Sequence, residues 1–501
     1  MIRIYETKSY HMTETTVAQI QGPAGLMSGL REDNLLIFRN IPYAQPPVAA
    51  ARFAPPTPLA PWQGVRDCTR GGLIAPQGPS RLQSVIGDCN VEQSEDCLSL
   101  TVWAPAGKAD PRPVMIWVHG GAYMSGAGAL DCYSGDAMAR NSDVVVVAPN
   151  FRIGALGFLY LPGVSDGNLG LLDLILALRW VRDNIAAFGG DPARITLFGQ
   201  SSGGSCIRAL MAMPQARDLF HRAVLQSAAL GRPDRTPEYA SEIGRRFADF
   251  LGVAPADRAG FERAGVEQLI AAQGKLARSF QVPLGTSELP FTPVVDGKTL
   301  LDDATGNWFV LQGSADRELV IGFNAQEAAA GYSVEAAVLN ATQEQALASL
   351  RQSVGDAAEA EYQRLASRRT DASPADVLCD FYTDRLFGTP SIEFAQRVAT
   401  SGVRTWVYRF DWQSPSSLQA CHCLELPFVF NNLPRWNTAK MIANVDPSAF
   451  ASLAQKVQRA WTAFAHNGNP DHDRLPHWPS MGQGSTMMVF DNMPTLRPLP
   501  A

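Results

Sequence analysis

A serine between two glycines is the first feature of this sequence that could carry out chemistry. Ser201 lies in the stretch FGQSSGG, which contains the pattern G-x-S-x-G. An apolar, β-prone segment (193–198) precedes it, and a helix-forming segment (206–212) follows it. In a sharp turn from strand to helix, the positions two before and two after the serine must be small, as Gly199 and Gly203 are. The pattern predicts a nucleophile at a helix N-terminus, although five residues also match by chance and need their context.

A second glycine-rich turn supplies that context. The apolar run Val114–Val118 predicts a buried strand, and it ends in the residues HGGAY from His119 to Tyr123. Adjacent small residues let backbone N–H groups point into a cavity and bind the oxyanion of a tetrahedral intermediate. We assign these donors to Gly121 and Ala122, with the N–H of Ser202 as the third. An ordinary turn is the alternative, but a serine turn about 80 residues later favours catalysis.

Several segments together resemble the type-B carboxylesterases of the α/β-hydrolase fold. The sequence motifs are most similar to those of bacterial para-nitrobenzyl esterases and are more distantly similar to those of cholinesterases. The resemblance covers nearly the whole chain. It is carried by FRNIPYAQPP (38–47), SEDCL (94–98), GNLGLLD (167–173), FGGDP (188–192), the segment 461–470 and the pair WP at 478–479.

This resemblance implies a Ser-Glu-His triad in that order along the chain. Glu327 ends the segment GFNAQE, which matches the acid position of the family. His422 precedes ELPFVF, which matches the base position. The base takes the proton of Ser201 and returns it to the leaving alcohol, while the acid fixes the imidazole tautomer. Ser227 matches a serine that supports the acid and the histidine in the family, but a buried serine bonded to backbone is an equal alternative.

The resemblance implies an α/β-hydrolase fold, with a mostly parallel sheet and helices on both faces, and the order of the triad residues predicts one enlarged domain over residues 12–501. The triad must converge from distant segments, so the chain cannot be divided between them. Helical inserts are expected at about 235–290, including a helix capped by Thr236, and at about 334–400. These inserts would roof the site, with Phe291, Phe381 and Phe387 as candidate lining residues. Residues 1–11 are either an added leader, with Met12 as the natural start, or a genuine extension.

Composition limits the partners of the protein. Charged residues make up 18% of the chain and the formal net charge is −6. No long basic run is present, so the sequence offers no nucleic-acid-binding surface. No stretch of 18 uncharged apolar residues occurs, and the N-terminus lacks an apolar signal core, so we expect no membrane span. The expected location is the cytoplasm, with secretion left open if a signal peptide has been removed.

Eight cysteines are few for 501 residues and do not imply a disulfide framework. Cys97 matches a position that is paired in secreted relatives, and Cys68 and Cys89 are its candidate partners; reduced thiols are the expectation. Cys421 and Cys423 flank His422, but metal-binding cysteine pairs usually have two or more residues between them. We therefore expect no metal and no cofactor. Three further histidines, at positions 466, 472 and 477, are predicted to lie in a loop.

Two departures from the family pattern bear on the substrate. The residue before the nucleophile is Gln200, where relatives commonly have glutamate, and residues 68–97 contain no tryptophan that could hold a quaternary ammonium. Ser202 stands where alanine is usual, but only its N–H is needed. The expected function is a serine carboxylesterase acting on neutral, small to medium esters through an acyl-enzyme. An amidase or carbamate hydrolase on the same triad is the runner-up, and a non-catalytic binding relative is a third possibility.

Overall fold

The computed structural model describes residues 15–87, 91–107, 110–282, 284–285, 287–301, 317–332 and 335–500. Residues 1–11 and Cys89 therefore lie outside the described residues. The strands are β1 (Thr15–Gly22), β2 (Gly25–Glu32), β3 (Leu35–Pro42), β4 (Val65–Asp67), β5 (Ser99–Pro105), β6 (Arg112–Val118), β7 (Val145–Pro149), β8 (Tyr160–Leu161), β9 (Ser165–Asp166), β10 (Gly190–Gln200), β11 (Arg222–Gln226), β12 (Glu318–Asn324), β13 (Arg404–Phe410), β14 (Thr486–Phe490) and β15 (Thr495–Pro498).

One large mixed sheet organises these strands. Its order is β1-β2-β3-β5-β7-β6-β10-β11-β12-β13-β14-β15, with β4 paired to β2. The seven central strands from β7 to β14 pair in parallel. The outer strands on both sides pair antiparallel, except that β4 pairs with β2 in parallel. Strands β8 and β9 form a separate hairpin. The predicted mostly parallel sheet is confirmed, and so are the strands predicted from the apolar runs before the two glycine-rich turns.

Helices cover the sheet and extend from it. They are α1 (Gln83–Ile86), α2 (Asp136–Ser142), α3 (Gly154–Phe158), α4 (Leu169–Asn184), α5 (Ser202–Met211), α6 (Pro237–Leu251), α7 (Arg258–Arg263), α8 (Val266–Arg278), α9 (Ala329–Tyr332), α10 (Ala336–Leu339), α11 (Gln343–Val354), α12 (Ala358–Ala366), α13 (Pro374–Thr383), α14 (Thr389–Thr400), α15 (Leu426–Phe430) and α16 (Pro447–Asn467). Residues Asp384–Gly388 form a π-helical turn between α13 and α14.

The helical content of both insert-like regions is as predicted. Helix α6 begins after Thr236, whose hydroxyl accepts a hydrogen bond from the N–H of Tyr239. A polar cap followed by proline at the first turn favours this start. The loop prediction was wrong for His466, which lies in the last turn of α16. The apolar spacing of that helix continues to Asn467, and Gly468 then ends it in a left-handed conformation.

The sheet separates two hydrophobic cores. Along β6, Ile116 faces the core that includes α4 and α5, whereas Trp117 faces the core that includes α15 and α16. Alternating residues of one strand point to opposite faces, so a central strand that is buried on both faces is apolar along most of its length. Every residue of β6 is buried, and all but Arg112 are apolar.

A buried ion pair ties the N-terminal region to the central layers. The guanidinium of Arg152 donates to both carboxylate oxygens of Asp173, at 2.8 Å from Nε and 2.6 Å from Nη2. The two side chains are 2% and 0% exposed. Arg152 also donates to the carbonyls of Arg52 and Ala54 at 3.2 and 2.8 Å. Removing either partner would leave a charge buried without compensation.

We therefore predict that Asp173→Ala lowers the free energy of unfolding by about 3–5 kcal/mol, because Arg152 keeps its charge without a counter-ion. Urea denaturation followed by tryptophan fluorescence measures the change. The matched control is Asp183→Ala, since Asp183 pairs with Arg182 and its side chain is 55% exposed. The control should cost only about 0–1 kcal/mol. Equal losses in the two variants would contradict a structural role for the buried pair.

Candidate active site

The turn that carries Ser201 has the strained geometry expected of an exposed nucleophile. Ser201 has φ 57° and ψ −126°, between the end of β10 and the start of α5. Its N–H donates to the carbonyl of Gln226 at 2.8 Å, which fixes the turn to β11. A Cβ at Gly203 would lie 2.0 Å from the carbonyl oxygen of Val118, and one at Gly199 would lie 2.7 Å from it. The predicted requirement for small residues is therefore confirmed at both positions.

The loop after β6 packs directly against this turn. A Cβ at Gly120 would lie 3.1 Å from Cβ of Ser201. The next residues turn through left-handed conformations, with φ 118° at Gly121 and 56° at Ala122. In the described part of the chain, the N–H groups of Gly121 and Ala122 donate to no other protein group. Ser202 is the first residue of α5, so its N–H has no acceptor within that helix.

The loop is also anchored through a buried histidine. His119 is stacked on Phe151, with 4.3 Å between ring centroids, and its Nδ1–H donates to the carbonyl of Gly120 at 2.9 Å. Burial lowers the pKa of His119 to about 4. This imidazole is therefore neutral near pH 7 and holds the loop, and it is not placed to exchange a proton with Ser201.

Glu327 and His422 meet in a buried hydrogen bond. Nδ1 of His422 donates to Oε2 of Glu327, and the two residues are 7% and 1% exposed. The other carboxylate oxygen accepts the N–H of Asn324 at 2.7 Å, which fixes its orientation. With the proton on Nδ1, Nε2 of His422 carries the lone pair, and it accepts the side-chain N–H of Gln200 at 3.1 Å. The imidazole is thus oriented with its basic nitrogen toward the residue next to Ser201.

The carboxylate of Glu327 also sets the basicity of this imidazole. Burial by itself would lower the pKa of His422, because a charged ring is poorly solvated there. The charge of Glu327 and its hydrogen bond act in the opposite direction and are stronger, so the pKa of His422 is raised above its ordinary value of 6.5. A raised pKa makes the neutral imidazole a better base, and it raises the pH above which the ring is mostly neutral.

Sequence analysis missed a second buried carboxyl group. Glu425 is fully buried and accepts from Nδ2 of Asn324 at 2.8 Å and from Nε2 of Gln226 at 3.3 Å. Burial, and then the nearby charge of Glu327, raise its pKa to about 7. These bonds join the histidine-bearing segment to the ends of β11 and β12. The signal was present in the sequence, since Glu425 is the acidic residue of ELPFVF.

The remaining predicted residues have different outcomes. Ser227 is buried and its N–H donates to the carbonyl of Gly322 at 2.8 Å, but its hydroxyl has no partner among the described residues. Of the three phenylalanines, Phe387 faces the site, with its ring 5.1 Å from that of His422. Phe291 and Phe381 instead pack in the core, against Phe247 and Tyr382 respectively. The sequence around the three phenylalanines shows no pattern that separates core from lining.

The cysteines near the site are buried. Burial raises the pKa of Cys421 and of Cys423, which keeps both thiols protonated at neutral pH. Cys68 and Cys97 are also buried and hold free thiols. Within the described residues, no group of three or more His, Cys, Asp and Glu side chains could hold a metal ion. Among the same described residues, no helix is long and apolar enough to cross a membrane.

Comparisons with known proteins identify the family. The model of the carboxylesterase family matches residues 10–496. This chain belongs to the carboxylesterase family. It is 38% identical to a phenmedipham hydrolase of Pseudarthrobacter oxydans, with 91% of each chain covered. It is 36% identical to the para-nitrobenzyl esterase of Bacillus subtilis (strain 168), again with 91% of each covered.

A solved carboxylesterase structure from Geobacillus stearothermophilus superimposes with a TM-score of 0.84 at 32% identity, covering 96% of this chain and 98% of that one. The predicted α/β-hydrolase fold is confirmed. The chain is a carboxylic ester hydrolase, as expected from its motifs. Its substrates are small-molecule esters.

The Glu327–His422 contact has a testable consequence for the pH dependence of the activity. With His422 as the expected base, activity requires its neutral form, so kcat/KM should rise with pH through a midpoint above 6.5, the ordinary pKa that Glu327 raises. Glu327→Gln should lower both this midpoint and the activity, the latter about 10⁴-fold, since an amide neither holds the tautomer nor stabilises the imidazolium. Stopped-flow pH–rate profiles test both effects.

Glu425→Gln provides the control, because it also neutralises a buried carboxyl group but one with a weaker effect on His422. Its midpoint should move less than that of Glu327→Gln. A larger shift for Glu425→Gln, or full activity of Glu327→Gln, would mean that Glu425 and not Glu327 is the acid.

Proposed function

We propose that Ser201, His422 and Glu327 form the catalytic triad of this esterase. Nε2 of His422 removes the hydroxyl proton as Oγ of Ser201 attacks the ester carbonyl. Glu327 stabilises the imidazolium that results. The observation that carries the proposal is the buried Glu327–His422 hydrogen bond, together with the contact of Nε2 of His422 with Gln200, the residue before the serine held at φ 57°.

The oxyanion is assigned to the N–H groups of Gly121, Ala122 and Ser202. As the carbonyl becomes tetrahedral, its oxygen gains negative charge, which fixed backbone donors and the N-terminus of α5 stabilise without reorganising. The leaving alcohol takes the proton from His422, and an acyl group remains on Ser201. Water, deprotonated by the same imidazole, then attacks the acyl-enzyme and releases the acid.

Neutral carboxylic esters of small to medium size are the proposed substrates. Gln200 places an amide where a carboxylate would attract a cationic alcohol, and residues 68–97 offer no tryptophan for a cation–π contact. Phe387 supplies an apolar ring next to His422. A complete triad also speaks against a purely binding role.

Carbamates are a second candidate substrate class. The relative with 38% identity is named for hydrolysis of phenmedipham, which is a carbamate. A carbamate carbonyl can be attacked by the same serine and can use the same oxyanion donors. A parallel assay of ester, amide and carbamate substrates on the purified enzyme measures the relative kcat/KM values.

A single catalytic domain over residues 12–501 and a cytoplasmic location remain proposals. The first is supported by strand pairing that runs without interruption from β1 to β15. The second is supported by the free, buried thiols of Cys68 and Cys97, which a reducing compartment would preserve.

The nucleophile can be tested with two adjacent serines. Ser201→Ala should lower kcat about 10⁴–10⁶-fold, because serine and histidine act as a unit. Ser202→Ala keeps the backbone N–H that the oxyanion needs and should retain most activity. After fluorophosphonate treatment, peptide mass spectrometry should locate a single adduct on Ser201. An adduct on Ser202, or an active Ser201→Ala enzyme, would refute the assignment.

The substrate class makes a further prediction. Para-nitrophenyl butyrate should be hydrolysed with far higher kcat/KM than butyrylthiocholine, since the site gives a quaternary ammonium no compensation for lost hydration. Initial rates at matched concentrations of the two esters make the comparison. Equal or faster turnover of the thiocholine ester would reveal a cation site and overturn the proposed preference.

A further inference from the structure

An arginine on a loop close to the proposed active site has no ionic partner among the described residues. Arg232 belongs to the loop between β11 and α6. The N–H of Gly231 donates to the carbonyl of Leu386 at 3.0 Å, and a Cβ at Gly231 would lie 2.0 Å from the carbonyl oxygen of Arg385. The loop is thus packed closely on the π-helical turn whose Phe387 ring lies 5.1 Å from the ring of His422.

The guanidinium of Arg232 has few of its donors satisfied. Within the described residues, the guanidinium makes one hydrogen bond, from Nη1 to the carbonyl of Ser287 at 3.0 Å. No salt bridge of Arg232 occurs among the described residues, although the side chain is half-buried. The nearby carboxylate of Glu288 is already bonded to Arg235 at 3.3 Å and to the hydroxyl of Tyr239 at 2.5 Å. A guanidinium has five N–H donors, so most of this group remains available.

The surroundings of Arg232 make its charge costly. Burial, and then the charges of Arg81 and Arg235, lower the pKa of Arg232 to about 10. Its charge in turn lowers the pKa of His422. Because its loop packs on the turn whose Phe387 ring contacts His422, Arg232 is a poorly hydrated cation in the neighbourhood of the proposed base.

A cation that has lost part of its hydration is stabilised most by a bound anion, and a planar guanidinium matches a carboxylate with two parallel hydrogen bonds. We propose that Arg232 is a specificity-determining residue that binds a carboxylate carried by the ester substrate. This inference rests on the proposed function and adds to it a preferred class of ester, the half-esters of dicarboxylic acids or esters of hydroxy-acids. The catalytic steps at the scissile carbonyl are unchanged.

Two pairs of substrates test the inference and locate the carboxylate. On the acyl side, mono-para-nitrophenyl adipate is compared with para-nitrophenyl hexanoate, which has a methyl group in place of the carboxylate. On the alcohol side, 3-acetoxybenzoate is compared with its methyl ester. For one of the two pairs, the ratio of kcat/KM values, anionic over neutral, should fall about 10–100-fold in Arg232→Gln, the loss typical of a charge-assisted hydrogen bond.

The control is Arg81→Gln, which removes one positive charge from the same region but from an exposed side chain. It should leave both ratios within about twofold, since exposed charges are screened by solvent. Arg232→Lys keeps the charge and should retain the larger part of the preference that Arg232→Gln loses. An equal effect of Arg81→Gln would mean that a general field, and not contact with Arg232, selects the substrate.

The other outcomes separate this inference from the proposed function. If the wild-type enzyme hydrolyses the neutral esters and Arg232→Gln changes neither ratio, the inference is wrong while the triad stands. A proportional loss on anionic and neutral esters would show that Arg232 only supports the loop. If the wild-type enzyme hydrolyses none of the four esters, the proposed function itself fails.

Discussion

The buried hydrogen bond between Glu327 and His422 is the interaction on which the active site depends. The two residues lie on different segments, after β12 and β13, and their contact sets both the tautomer and the basicity of the imidazole. A buried carboxylate without a partner would be costly, so the contact also holds the two segments together. Asn324 adds to this connection between the two segments, because its backbone N–H donates to Glu327 and its side chain donates to Glu425.

The parallel sheet explains why these segments meet. The oxyanion loop, residues 119–123 with the proposed oxyanion donors, follows β6. Ser201 follows β10, Ser227 follows β11 and Glu327 follows β12. Parallel strands end at the same edge of a sheet, and ligands of open α/β folds bind beyond those ends. In the strand order β6-β10-β11-β12, the oxyanion loop and Ser201, the proposed nucleophile, follow neighbouring strands. Central strands with both faces buried are rigid, which suits residues that must be held in strained conformations.

The sequence was informative wherever a function is encoded by neighbouring residues. The serine turn and the oxyanion loop could be predicted from local sequence. Only glycine fits at positions 199 and 203, because a Cβ there would clash with the carbonyl oxygen of Val118. Glu327 and His422 could be selected only through the family resemblance, since no periodicity distinguishes them from other acidic residues and histidines. The buried hydrogen bonds of Glu425, and the hydrogen bond from Gln200 to His422, depend on tertiary contacts that the sequence does not show. For the same reason, Phe387 could not be separated from the core residues Phe291 and Phe381.

The charges around His422 oppose one another in a way that links specificity to catalysis. Glu327 and Glu425 raise the pKa of the imidazole, while Arg232 lowers it. The cation therefore works against the imidazolium that forms in the transition state, and by itself it would slow the reaction. A carboxylate bound to Arg232 would cancel this effect, so that only burial would still oppose the two glutamates. Under the proposed assignment, the anionic substrate gains twice, first in binding and then through a stronger base. A neutral ester receives neither benefit, which gives the enzyme a physical reason to prefer the charged one.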